Sequence, residues 1–356
     1  LQVWNHTINE YLMSQGFTTI HSDPCVYFKT DSNGKVIIFL YVDDLLIAAT
    51  FALLQTTKDL LHQRFKMKDS VKSLLGMEII RDKAKGTVIL RQTGYILCCF
   101  NMQDSKPVST PLEPGFLRPP LESTPDCDKD IPYRQAVGKL IYAASGTRPD
   151  IAFATSVVSR YMSGWNAQIW TVVKRILRYL QATKEYGLVF NKKFNNKTTL
   201  LGYSDSDWGG DPTDRISTTG YLFQLCGAPI CWSSKKQSTI ALSSTEAEYY
   251  AATQTAKEAL WLRAILGELG YPQLSATIIK EDNQSCICIS KNPVFHTRTK
   301  HFDIKSHFIR EKTLSGEVLL EYCPTGDMPA DFLTKALSKP QFEKLRTVAG
   351  LYHLPI

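Results

Sequence analysis

The sequence predicts a multidomain chain that combines α+β and α/β organisation, and three observations predict it. Two β-hairpins follow one another near the start. A stretch from Lys106 to Pro132 gathers seven prolines, and three helical segments come after it. The last part of the chain reads as three antiparallel strands, then helix, strand, helix, strand, helix, which is the order of a mixed five-stranded sheet with flanking helices.

At 356 residues there is room for two or three domains, each with a core of its own. A hydrophobic fraction of 44% fits a globular protein. No apolar run nears the roughly 20 residues of a membrane span, and the longest, Val36 to Tyr41, stops at two aspartates, so no membrane partner is expected. The chain starts at Leu1 in mid-pattern, without an initiator Met or a signal peptide, and reads as a piece of something larger. The net charge of +7 is compatible with a polyanionic partner and does not require one. Nine cysteines without a Cys-x-x-Cys exclude a disulfide ladder and zinc-finger spacing; Cys98-Cys99 and Cys286-x-Cys288 are expected to be core thiols in a reducing compartment.

In order, Ile8 to Met13 ends a helix that Gly16 closes. Val26 to Thr30 and Lys35 to Tyr41 form a hairpin through Asp31-Ser32-Asn33-Gly34, where Asn-Gly is the turn signal. A second hairpin joins Phe39-Leu40-Tyr41 to Leu45-Leu46-Ile47-Ala48, which puts Asp43 and Asp44 at the tip of an apolar ribbon; solvated turn residues are the plainer reading of both. Ala52 to Phe65 has helical spacing, and Val71 to Arg81 and Gly86 to Arg91 are expected to be strands of the same sheet. The proline-rich run cannot hold a helix and is read as an extended connector. Tyr133 to Tyr142, Asp150 to Met162 and Trp170 to Ala182 are helical, and the last carries Lys174 and Arg178 on one face with Arg175 beside them. That face is either simply solvated or laid along nucleic-acid phosphates.

The helix from Ser244 to Leu266 organises the C-terminal part. Ser243-Ser244-Thr245-Glu246 is a capping box, entered from an expected strand end at Thr239 to Leu242. Glu248 lies in the first two turns, followed by Ala251, Ala252, Ala256 and Ala259, small residues that let a helix press onto a sheet. A carboxylate on such a face is costly unless a cation compensates it. Other acids stand at suitable places: Asp205 ends the strand Leu200 to Asp205, Asp282 ends the strand Ala276 to Asp282, and Asp331 opens an expected helix at Met328 to Leu333. Each has a local alternative, as a turn residue, a helix cap or a dipole partner. Four hard oxygen donors without accompanying His or Cys suit Mg²⁺ or Mn²⁺ rather than zinc.

Tyr41-Val42-Asp43-Asp44 resembles the Tyr-x-Asp-Asp motif of reverse transcriptases, and its surroundings sharpen the likeness to the copia-type retrotransposon Pol polyproteins. Those are Gly16-Phe17, Asp23-Pro24-Cys25-Val26-Tyr27, Leu75-Gly76-Met77-Glu78-Ile79 and Gln92-Thr93-Gly94-Tyr95-Ile96. The resemblance implies a partial palm over 1–105, a connector over 106–132, a helical thumb over 133–195 and a ribonuclease H domain over 196–356. It also implies that Asp43 and Asp44 are metal ligands of a polymerase site. The family's first palm aspartate and its fingers lie upstream of Leu1, so polymerisation by this chain alone is not expected.

The stretches Asp205-Ser206-Asp207-Trp208-Gly209-Gly210-Asp211-Pro212, Glu248-Tyr249-Tyr250-Ala251, Asp282-Asn283-Gln284-Ser285 and Ala330-Asp331 resemble ribonuclease H motifs. Carried over, Asp205, Glu248, Asp282 and Asp331 are catalytic carboxylates that hold two metal ions and hydrolyse the RNA strand of an RNA–DNA hybrid. Lys174, Arg175, Arg178, Lys235, Lys236, Arg298 and Lys300 are the expected nucleic-acid contacts. Asp207 and Glu281 are expected outside the ligand set, as outer-shell or solvated acids. His296, His301 and His307 are candidates for a product-release histidine, with plain surface residues as the alternative reading. The resemblance further implies primer–template nucleic acid and other parts or copies of the polyprotein as partners. It implies a cytoplasmic, virus-like-particle location, with the nucleus as an alternative. An inactive, co-opted nucleic-acid-binding relic is the rival reading.

Overall fold

The computed structural model of the chain describes residues 2–68, 73–92, 104–116, 130–191, 198–291 and 303–354. They group into two compact units, one of Leu1–Gly76 with Leu260–Leu274, the other of Met77–Ala259 with Ser275–Ile356.

In the first unit, helix α1 (Gln2–Ser14) is followed by strands β1 (Thr18–Thr19), β2 (Val26–Asp31), β3 (Gly34–Tyr41) and β4 (Asp44–Ala49), then helix α2 (Phe51–Arg64) and the short strand β5 (Ser73–Leu74). Strands β1 to β4 pair in sequence order as an antiparallel sheet. Val36, Ile38 and Leu40 alternate into its core against Ile8 and Leu12 of α1 and Leu61 of α2. The first hairpin is as expected, with Thr30 opposite Lys35 and each strand one residue longer at the turn. Asp31 pairs with Gly34, so Ser32 and Asn33 are the central pair, and the Asp31 carboxylate accepts from the Asn33 N–H at 2.7 Å.

The second unit contains strands β6 (Met77–Asp82) and β7 (Thr87–Arg91), helices α3 (Tyr133–Gly146), α4 (Ala152–Ser159) and α5 (Ala167–Ala182), strand β8 (Tyr186–Asn191), strands β9 (Leu201–Asp207), β10 (Thr218–Leu225) and β11 (Ala228–Lys236), helix α6 (Ser244–Glu268), strand β12 (Thr277–Glu281), helices α7 (Gln284–Lys291) and α8 (Asp303–Leu314), strand β13 (Val318–Tyr322), helix α9 (Lys339–Val348) and strand β14 (Leu351–His353). Strands β6 and β7 were expected in the sheet of the first hairpins. They instead join an antiparallel ladder with β8 and β14, because Gly187 lets β8 approach β7 closely: a Cβ there would stand 2.8 Å from the Leu90 carbonyl.

The other sheet has the order β11-β10-β9-β12-β13, antiparallel on the β11 side and parallel from β9 onward, the expected mixed five-stranded sheet. Helices α3 to α5 share one core with it, in which Val137, Leu140, Val157, Ile176 and Leu177 meet Tyr203, Leu222, Phe332 and Leu345. A charged group lies inside this body. Arg148 is fully buried and binds Asp150 in bidentate fashion, Nε to Oδ1 at 2.8 Å and Nη2 to Oδ2 at 2.7 Å. The Tyr179 hydroxyl also donates to Asp150, and Arg346 donates to the hydroxyls of Tyr179 and Tyr186, each at 2.9 Å. Among the described residues no helix is long and apolar enough to cross a membrane.

Candidate active site

Strand register brings the first two acids together. In the parallel pair β9 and β12, Tyr203 stands opposite Lys280, so two residues further on Asp205 and Asp282 leave the C-terminal ends of adjacent strands side by side. Glu248 reaches them from α6, whose buried Ala251, Ala252, Ala256 and Ala259 permit the close approach. The capping box forms with one variation: Ser243 Oγ accepts the Glu246 N–H at 3.1 Å, and the Glu246 carboxylate accepts from Leu242 N at 2.8 Å rather than from the cap residue. Thr239 to Leu242 is no strand. Gln237 turns inward and donates to the Ala247 carbonyl at 3.0 Å and to Thr219 Oγ1 at 3.1 Å, which ends β11 at Lys236 and seats the start of α6.

The fourth acid depends on a glycine. Gly220 pairs with Asp205 across β9 and β10, and a Cβ on it would lie 2.7 Å from Thr334 and 2.8 Å from Leu333. Its absence admits the 3-10 turn Pro329–Leu333, which replaces the expected helix opening and carries Asp331 beside Asp205. Thr334 Oγ1 donates to Asp205, and Lys335 Nζ stands 2.8 Å from Asp331 Oδ1. Thr325 donates to Asp282 Oδ2 at 2.7 Å.

One carboxylate oxygen from each of Asp205, Glu248 and Asp282 lies within 4.8 Å of the others, a candidate metal-binding triad. Burial pushes the Asp205, Glu248 and Asp331 carboxyls above their ordinary values, Asp331 to about 7, and neighbouring carboxylates add to each shift. Glu248 Oε2 is buried with no hydrogen-bond partner. Such an atom in an all-oxygen set fits Mg²⁺ or Mn²⁺.

Glu281 corrects the sequence reading. Strand alternation does turn it from Asp282, but onto a buried face shared with Thr277 and Ile279, so the solvated alternative is excluded. Its carboxyl is raised well above the usual range, chiefly by burial, and among like charges it raises Glu248 the most. The signal available in the sequence was alternation, which puts Glu281 on the same strand face as Thr277 and Ile279. Asp207 accepts from the Thr218 N–H and caps the ladder of β9 and β10. Cys286 is a core thiol as expected, whereas Cys288 is exposed.

The remaining expected residues lie elsewhere. Tyr41 pairs with Asp44, so Val42 and Asp43 form the turn, with Val42 at φ +51° and its carbonyl held by Trp4 Nε1 at 2.7 Å; the whole tip is exposed. Asp43 and Asp44 gather no third ligand among the described residues. Lys174 and Lys235 are exposed. Arg175 is taken up by Glu113 at 2.6 Å and Thr110 at 3.0 Å, and Arg178 by the Lys106 carbonyl at 2.6 Å. Lys236 binds Asp211, at 2.6 Å, and Asp214. Arg298, Lys300, His296 and His301 fall outside the described residues.

Residues 1–114 match the family model described as reverse transcriptase (RNA-dependent DNA polymerase). The chain is 41% identical to the Pol polyprotein from transposon TNT 1-94 of Nicotiana tabacum over 98% of its own length and 27% of that protein. It is 34% identical to a putative transposon Ty5-1 protein of Saccharomyces cerevisiae over 72% of its own length and 84% of that protein. A solved ribonuclease H1 isolated from compost is similar at 16% identity and a TM-score of 0.29, covering 38% of this chain and 93% of that one. The chain thus spans about a quarter of the length of the Pol polyproteins it matches. It belongs to the copia-type retrotransposon Pol polyproteins, of which it carries a reverse-transcriptase-like N-terminal region and a region of ribonuclease H-like fold.

Proposed function

We propose that the chain is a metal-dependent ribonuclease H that hydrolyses the RNA strand of RNA–DNA hybrids. The observation that carries this reading is the meeting of Asp205, Glu248 and Asp282 at the C-terminal edge of the β9 and β12 pair, with a buried, partnerless Glu248 oxygen among them. Asp205, Glu248, Asp282 and Asp331 would hold the ions, which when bound supply activation of water and stabilisation of charge at the scissile phosphate. The chain's own part is to fix those oxygens. Thr334 orients Asp205, Thr325 orients Asp282, and α6 keeps Glu248 out of bulk water. Exposed Lys174 and Lys235 are proposed to meet the hybrid backbone, a contact that senses phosphate rather than base sequence. The four sequence regions, palm remnant, connector, thumb and nuclease, are kept as a functional division of the chain.

The test is cleavage of an end-labelled RNA–DNA hybrid by the purified chain with Mg²⁺. Asp282→Asn is expected to abolish cleavage and to leave hybrid affinity within about threefold, since the substitution removes one ligand charge and no basic contact. Hybrid binding without cleavage by the unsubstituted chain would refute the nuclease and favour the relic.

A further inference from the structure

The acid cluster is electrostatically lopsided. Buried oxygens of Glu248 and Glu281, and Asp331 Oδ1 on the opposite side, have no hydrogen-bond partner, but only Asp331 has a cation beside it. Lys335 Nζ is 2.8 Å from Asp331 Oδ1, with the lysine side chain 40% exposed and the aspartate only 3%. Burial works against the lysine's charge, yet Asp205 and Asp331 outweigh it, with Asp282 assisting. The same ammonium is the strongest influence favouring ionised Asp205, and it acts on Glu248 as well.

Local backbone geometry fixes this arrangement. The Thr334 and Lys335 N–H groups both donate to the Asp331 carbonyl, at 3.1 Å each, so the two residues that engage Asp205 and Asp331 leave one short turn together.

We propose that Lys335 is a built-in counter-cation for the Asp205 and Asp331 side of the site, so that a first divalent ion binds at Asp205, Glu248 and Asp282 and a second must displace the lysine. This rests on the nuclease reading above and deepens it. Lys335 is then a positioning residue that sets the order and affinity of ion binding. Its long, partly exposed stem gives the displaced ammonium a route to water.

The experiment is calorimetric titration of the full chain with Mn²⁺, after removal of metals with EDTA and without nucleic acid. The unsubstituted chain is expected to bind one ion tightly and a second at least about tenfold more weakly. Lys335→Met is expected to tighten the second ion about tenfold or more, the scale of one lost charge-assisted contact. Lys335→Arg is expected to behave as the unsubstituted chain. A purely structural lysine would lower the thermal midpoint on substitution without tightening any ion. Lys335→Gln, which keeps a donor for Asp331 and loses the charge, replaces Lys335→Met should the latter not fold. Equal Mn²⁺ affinities for the charge-neutral variant and the unsubstituted chain would overturn this proposal and leave the nuclease standing. No Mn²⁺ binding by the unsubstituted chain would overturn both.

Discussion

Replacing Asp331 by Asn should stabilise the ion-free protein while removing the carboxylate beside Asp205, and by an amount that grows with pH. The Asp331 carboxyl is raised from 3.8 to about 7, first by burial and then by Asp205. An acid whose folded value is raised keeps a proton that the unfolded chain has lost. Stability therefore falls as pH climbs from about 4 to about 7, at about 1.4 kcal/mol per unit, and the loss is complete above that window. Three units amount to about 4 kcal/mol at pH 8, and to less than half of that at pH 5. Asn cannot ionise and has nearly the same shape. In EDTA, Asp331→Asn should thus exceed the unsubstituted chain by about 4 kcal/mol at pH 8 and by less than half of that at pH 5. Urea denaturation at the two pH values measures it. Saturating Mg²⁺ at pH 8 should narrow the gap, because only the chain that keeps Asp331 gains from a second ion on that side of the site. A variant that is no more stable at pH 8, or equally more stable at both pH values, would refute the reasoning.

Gly220→Ala should lower hybrid cleavage more than tenfold with the β-sheet circular dichroism preserved, because the new methyl collides with Thr334 and Leu333 and pushes Asp331 from Asp205. Arg148→Met leaves Asp150 charged and buried without its bidentate partner, and urea denaturation should report a loss of about 3 to 5 kcal/mol. Asp43→Asn with Asp44→Asn should leave hybrid cleavage within twofold, since both acids sit on an exposed turn of the other compact unit; a larger loss in the cleavage assay would mean that the two units cooperate in the reaction.

The sheet and its acids were legible in the sequence because each catalytic candidate stands where an element begins or ends, and alternation or helical spacing marks those places. Strands β9 (Leu201–Asp207) and β12 (Thr277–Glu281) fall almost where Leu200 to Asp205 and Ala276 to Asp282 were expected. What pattern does not carry is register and the loop contacts that end an element. The termination of β11 by an inward-turned Gln237 and the transfer of β6 and β7 to the ladder of β8 each follow from a contact between residues apart in sequence. The basic residues show the same limit. A charge at a plausible spacing predicts an exposed cation, but Arg175, Arg178 and Lys236 are engaged by Glu113, Lys106 and Asp211, respectively.

The site itself extends this point to chemistry. Four separate acids are a list until two further facts turn them into a cluster: Tyr203 opposite Lys280, and Gly220 opposite Asp205. The first sets two carboxylates at one strand spacing, where the charge of Asp282 adds to the rise that burial imposes on Asp205. The second opens the space through which Asp331 arrives with Thr334 and Lys335 attached. A glycine and a lysine thus decide how much negative charge the edge can keep before any ion is added. Neither is a ligand, and neither could be ranked from composition or spacing. The physics of the cluster lies as much in these two positions as in the acids, since the acids alone would be too costly to hold ionised in a buried setting.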